Sequence, residues 1–204
     1  MDFSVSSDIV AELLEVAINL ILYTREIYPQ SVFQRRKKYN IPVQMCIHPG
    51  VSKYISSSVG AIVPVLEKGE VDKVVVAVLG EDKRPVEKFV FDIDQQPTKP
   101  QNIKDDPSLQ KMEEALRAFC LKLSISDSLL KPLPGPQCTF AIHLHVPEHV
   151  SNDLTVEQDC HWIPAEKEQV EVPDAQIVPL KTLKTQVCNM QLYVEESSVK
   201  SSSS

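Results

Sequence analysis

One helix with two apolar rows constrains this chain more than any other feature of its sequence. From Asp8, which reads as the N-cap, Ile9, Leu13, Val16, Leu20, Tyr23 and Ile27 recur at helical spacing, and Val10, Leu14, Ala17 and Ile21 form a second row beside them. A helix apolar around most of its circumference has to be covered on most sides. The pattern therefore places it at the centre of a core that the rest of the chain must wrap. Pro29 ends it, and the run Arg35-Arg36-Lys37-Lys38 that follows is too charged for a core and reads as an exposed connection.

Further elements follow from the same kind of reading. A weaker helical pattern runs from Gly50 to Leu66 with Tyr54, Ile55, Val59 and Ile62. Val74 to Leu79 and Val86 to Ile93 are apolar, β-branched runs flanking turn residues, with Phe89, Phe91 and Ile93 on one face, and predict a β-hairpin. The polar stretch Gln95 to Pro107 is a loop, after which Leu109, Met112, Leu116, Phe119 and Leu123 mark a second long helix. Phe140, Ile142, Leu144 and Val146 alternate with Thr139, Ala141, His143 and His145, which predicts a strand buried on one face with its histidines outward. The last fifty residues differ: Pro147, Pro164, Pro173 and Pro179 interrupt short apolar clusters around Trp162, and a strand pattern returns only at Val187 to Val194. Beyond Glu196 the Ser-rich end, 197–204, reads as a disordered tail. Helices mixed with hairpin-connected strands, and no long Gly/Ser linker in 204 residues, predict a single α+β domain over 1–196 with an antiparallel sheet.

Composition narrows the function. A formal charge of -7 opposes non-specific attraction to nucleic acid or an acidic membrane, so protein partners are the expectation. The five scattered cysteines contain no C-x-x-C pair and read as reduced intracellular thiols, and neither a signal peptide nor a membrane span is recognisable. No phosphate-binding, nucleophile-elbow or zincin motif is present. Carboxylate pairs such as Glu113 and Glu114 fit a solvated surface. His143 with His145, Cys46 with His48, and Cys160 with His161 have no spacing that closes a four-ligand zinc site, so no metal or cofactor is expected. Arg35 to Lys38 read as a protein-contacting or solvated loop rather than a nucleic-acid site.

Trp162, the only tryptophan, and Tyr54 are open to two readings: anchors of a satellite core, or parts of a groove for a peptide, since Trp and Tyr dominate interface hot spots. Gln191 and Tyr193 face away from the apolar row of the last strand and offer an amide and a phenol to something outside.

Several segments are recognisable together: Glu15-Val16-Ala17-Ile18-Asn19-Leu20-Ile21-Leu22-Tyr23 with Arg25-Glu26-Ile27-Tyr28-Pro29, Phe33-Gln34-Arg35-Arg36-Lys37-Lys38-Tyr39-Asn40-Ile41-Pro42-Val43-Gln44-Met45, and Arg84-Pro85-Val86-Glu87-Lys88-Phe89-Val90-Phe91. Leu116-Arg117-Ala118-Phe119, Val178-Pro179-Leu180-Lys181-Thr182 and Met190-Gln191-Leu192-Tyr193-Val194-Glu195-Glu196 join them. Over nearly its whole length the chain resembles the HORMA-domain family, and within it the accessory subunits of DNA polymerase zeta. It departs mainly in 95–107 and 147–159.

The resemblance implies a non-catalytic adaptor with a core of about 8–146 and a mobile "safety belt" of about 147–196. The belt would wrap over a partner segment that adds a strand to the sheet. Tyr54 and Trp162 match positions lining that groove, whose occupant is a short Pro-containing segment of the catalytic subunit of polymerase zeta. Ile177, Gln191 and Tyr193 match a patch that binds the C-terminal domain of the Y-family polymerase scaffold; Leu is common where this chain has Ile177. Arg35 and Arg117 match the surface of a HORMA homodimer. The resemblance also implies open and closed states, a AAA+ remodelling ATPase, shieldin-type partners in double-strand-break repair, and a nuclear location with some cytoplasmic and spindle association. Two alternatives remain: a spindle-checkpoint adaptor capturing mitotic regulators and, more remotely, a small metal-dependent hydrolase using His143, His145 and a nearby acid.

Overall fold

Phe3–Thr24 form one 22-residue helix, α1, in which Leu13, Leu14, Ala17, Ile18, Ile21 and Leu22 are completely buried. This computed structural model describes residues 3–94, 106–154, 162–185 and 189–201. Asp8 is not the N-cap: the helix starts five residues earlier, because nothing between Phe3 and Ser7 breaks it, and Asp8 lies on its exposed side. The one polar residue buried in the middle of α1, Asn19, is fully used. Its Nδ2 donates to the Glu15 carbonyl at 2.8 Å, and its Oδ1 accepts the Cys46 amide at 2.8 Å.

The basic run is not a loop. It forms β1 (Phe33–Lys38), paired in antiparallel register with β2 (Ile41–Cys46) in a two-stranded sheet of its own. Tyr39 and Asn40, at φ 50° and 59°, make the turn between them with the positive φ values that a two-residue hairpin requires. No alternation marks β1 because Gln34, Arg35, Arg36 and Lys37 are all exposed; Phe33 alone anchors it, edge-on to Tyr23 at 5.3 Å.

α2 (Pro49–Lys68) follows, with Pro at its first position and Gly69 closing it at φ 72°. Then come β3 (Lys73–Leu79), β4 (Pro85–Asp94), α3 (Asp106–Ser124), β5 (Thr139–His145), α4 (Glu148–Leu154), α5 (Lys167–Val170), β6 (Ala175–Lys184) and β7 (Asn189–Ser197). Five strands make one antiparallel sheet in the order β5-β3-β4-β7-β6. The predicted hairpin is β3–β4, and Phe89, Phe91 and Ile93 share the face that meets α1 and the other helices.

β6 was not legible as a strand. It is the outer strand of its edge, mostly exposed, and carries Pro179 beside a register shift, the position at which a sheet tolerates a proline. The expected end of order at residue 196 also moves: β7 continues to Ser197, and Ser198–Ser201 form a 3₁₀ turn whose Lys200 is 6% exposed. Residues 202–204 lie outside the described residues, as does most of the expected loop 95–107.

Candidate functional site

The segment after β5 explains a burial that the helices cannot. Val75, Ala77 and Val90 point away from the helical core yet are at most 2% exposed. Lys88, on the same face, donates from Nζ to the Val170 carbonyl at 2.8 Å and pairs with Glu195 at 2.5 Å. On this far face the described residues after Trp162 place α5 over Lys88 with Val172 buried, and the chain then rejoins the sheet at the edge opposite β5 as β6. His143 and His145 lie on that face and are half-buried, not outward to solvent. Burial, then the neighbouring positive charge of His145 and Lys88, lowers the pKa of His143; burial, then Lys88 and Lys73, lowers that of His145.

β5 is the terminal strand on its side, paired only with β3 among the described residues. Such an edge offers backbone donors and acceptors to an added strand. One is already engaged: the Ile142 amide donates to the Tyr54 hydroxyl at 3.2 Å. Tyr54, on α2 and 43% exposed, sets its ring edge-on to Phe140 at 5.5 Å, and Phe140 meets Tyr28 at 6.1 Å.

Alongside, Trp162 to Ala165, Ser151 and Leu154 enclose a cleft of about 280 Å³ against Ile142, His143, Leu144 and Val146. Trp162 packs on the core, yet among the described residues its indole Nε1 is buried without a partner, and so is Nδ1 of His143. An unsatisfied buried polar atom costs about 1–3 kcal/mol, a cost that water or an occupant with hydrogen-bonding groups would relieve at both atoms. Tyr54 and Trp162 thus both lie against β5, and Trp162 packs on the core while lining the cleft.

Ile177, Gln191 and Tyr193 also converge. The antiparallel register sets Ile177 opposite Glu195 and Pro179 opposite Tyr193, and all three residues line a second depression of about 430 Å³ with Leu180 and Thr182. Ile177 is 67% exposed. The Tyr193 hydroxyl accepts Lys73 Nζ at 3.2 Å, and this bond, with Asp92 next, raises the Lys73 pKa. Arg117, on α3, donates to the Tyr39 carbonyl at 3.0 Å and to Glu113 at 3.4 Å, which ties it to the turn of the hairpin that carries Arg35.

Among the described residues no three His, Cys, Asp or Glu side chains converge as metal ligands, and the pair Cys160–His161 lies outside them. Sequence reasoning overlooked a buried ion cluster around Arg25 and Glu87. A signal existed: period two puts Glu87 on the same inward face as Phe89, Phe91 and Ile93.

Comparison with known proteins agrees with this architecture. The HORMA domain profile matches residues 6–197. The chain is 45% identical over 201 residues to the mitotic spindle assembly checkpoint protein MAD2B of Homo sapiens, covering 97% of this chain and 94% of that protein. It is 35% identical over 188 residues to the DNA polymerase zeta processivity subunit of Arabidopsis thaliana, covering 92% and 84%. A chain in the crystal structure of the mitotic checkpoint complex superposes with a TM-score of 0.79 at 20% identity over 97% of both chains. C. elegans HTP-2 bound to a HIM-3 closure motif does so with a TM-score of 0.74 at 13% identity, over 97% of this chain and 92% of that one. With its five-stranded antiparallel sheet, its three long helices and this profile spanning nearly its whole length, the chain belongs to the HORMA domain family.

Proposed function

We propose that this protein is a non-catalytic adaptor of DNA polymerase zeta that holds a segment of the catalytic subunit as an added strand on β5, beneath the segment of about 147–196 acting as a belt. The observation that carries this reading is the outer edge of β5, paired with no further strand among the described residues, beside a cleft lined by Trp162 and His143. Main-chain hydrogen bonds along the edge supply sequence-tolerant affinity, and the cleft selects a short apolar, Pro-containing motif. The names of the relatives as polymerase zeta processivity subunits support this partner, and the HORMA structure with a bound closure motif supports the mode.

The second depression, with Ile177, Gln191 and Tyr193, is the docking patch for the C-terminal domain of the Y-family polymerase scaffold, so that one adaptor bridges two polymerases. Arg35 and Arg117 serve a HORMA homodimer, and a AAA+ ATPase and shieldin-type subunits complete the partner set of a nuclear protein. A second reading, a checkpoint adaptor that captures mitotic regulators, draws on the name MAD2B and uses the same groove.

The deciding experiment measures binding and release of a Pro-containing peptide from the polymerase zeta catalytic subunit. Wild-type protein is compared with a Trp162→Ala, Tyr54→Ala double variant. Tight binding with slow release, weakened by the double variant about thirtyfold or more, is expected. Weak binding indifferent to both residues would assign the groove to another partner.

A further inference from the structure

Two glutamates face each other in the core of the sheet. Glu87 of β4 and Glu196 of β7 are directly opposite in register, and both point toward the helices, at 0% and 4% exposure. Like charges directly across a strand pair repel, and burial deprives them of water. Three groups make the arrangement tolerable. Arg25, at the end of α1, gives Nε and Nη2 to Glu87 at 2.8 and 3.1 Å, and it also donates to the Lys131 carbonyl at 2.7 Å and to Asp127. The Lys131 amide donates to Glu196 at 2.7 Å. Lys200 places Nζ between the two carboxylates, paired with Glu87 and 2.9 Å from Glu196.

The parts of this cluster have different origins. Arg25, Glu87 and Lys131 belong to the body of the domain, whereas Glu196 and Lys200 lie on the last strand and the turn after it. Arg25 and Lys200 balance Glu87 and Glu196 as a buried neutral set, with Asp127, also paired to Arg25, exposed to water; without Lys200, one guanidinium faces two buried carboxylates. The β6–β7 hairpin cannot take its register on β4 without bringing Glu196 opposite Glu87. We propose that Lys200 is a latch: its ammonium neutralises the Glu87–Glu196 pair and thereby locks the β6–β7 hairpin, and with it the crossing segment that precedes it, onto the sheet. The latch is independent of whether a partner lies under that segment.

Hydrogen exchange of the full chain tests this, in wild type, Lys200→Met, Lys200→Arg, and Lys200→Met combined with Glu196→Gln. Removing one member of a buried ion pair is costly, so Lys200→Met is expected to speed exchange of the Ala175–Lys184 and Asn189–Ser197 amides about a hundredfold, with α1 and β3 as protected as in wild type. Lys200→Arg restores protection, and so, in large part, does Glu196→Gln in the Lys200→Met background, because it removes the stranded charge. Unchanged exchange in the hairpin, an equal rise throughout the chain, or a double variant no better protected than Lys200→Met would each overturn the latch.

Discussion

The hydroxyl of Tyr54 occupies the backbone donor of Ile142 that an added strand needs. Under the proposed mode of capture the side chain would play two opposed parts, its ring walling the groove and its phenol competing with the occupant. Tyr54→Phe separates them. In urea titrations the free chain is expected to lose about 1 kcal/mol, the usual net worth of a hydrogen bond. Peptide affinity should stay unchanged or rise; a tenfold loss would mean that the phenol touches the partner. Cys120 is a second case in which placement decides chemistry. Burial pushes its thiol up to about 12, so iodoacetamide at pH 8 should leave it unmodified in the native chain and label it once urea unfolds the protein, read by peptide mass. The same burial favours the neutral thiol only in the fold. Stability is therefore complete below the ordinary thiol range near 9 and declines as pH rises beyond it, with Tyr39, also raised mainly by burial, adding to the decline. Cys120 falls within the stretch that periodicity marks as the second long helix, but no pattern in sequence distinguishes a thiol deep in the core from one at its margin.

At the level of elements, the covered far face of the sheet governs behaviour that the strand pattern concealed. His143 and His145 alternate with Phe140, Ile142 and Leu144 as an outward face should. The crossing segment turns that outward face into a second interior, shared with Lys88 and Lys73 and, on the acidic side, Glu195 and Asp72. Both imidazoles are held neutral below their usual pKa, so the unfolded or uncovered state binds more protons as pH falls. The stabilisation is present above about 6.5 and lost on acidification below it. The protection factors of amides in 162–172, corrected for the slower intrinsic exchange at lower pH, should fall between pH 6.5 and 5 in wild type, and much less in a His143→Leu, His145→Leu variant. An identical pH response in that variant would assign the effect elsewhere. Elements with a fully buried face, such as α1 and β3–β4, were legible because burial writes a period into the sequence. β1 and β6 were not, since one is a row of solvated cations and the other an edge strand carrying Pro179.

Across the whole molecule the two candidate surfaces belong to opposite ends of the sheet, the cleft to β5 and the depression to β6–β7. Sites this far apart without shared side chains are expected to act independently. Tyr193→Ala should weaken binding of the scaffold's C-terminal domain at least tenfold and leave peptide binding within twofold, and Trp162→Ala should do the reverse; calorimetry on each pair reads both. Loss of both activities in either variant would mean that one site depends on the seating of the other. The central helix, the β3–β4 hairpin and the mixed class with an antiparallel sheet were already written in the chain. These are local or periodic properties, set by which side chains water rejects along a helix or a strand. The return of Trp162 to the edge of β5, the half-burial of His143, and the settling of Lys200, in a stretch expected to be a loose tail, between Glu87 and Glu196 emerge only when the chain folds. Those placements join residues far apart in the chain, and the free energy that selects them comes from burial and charge balance across the assembled sheet, which no stretch of sequence contains alone.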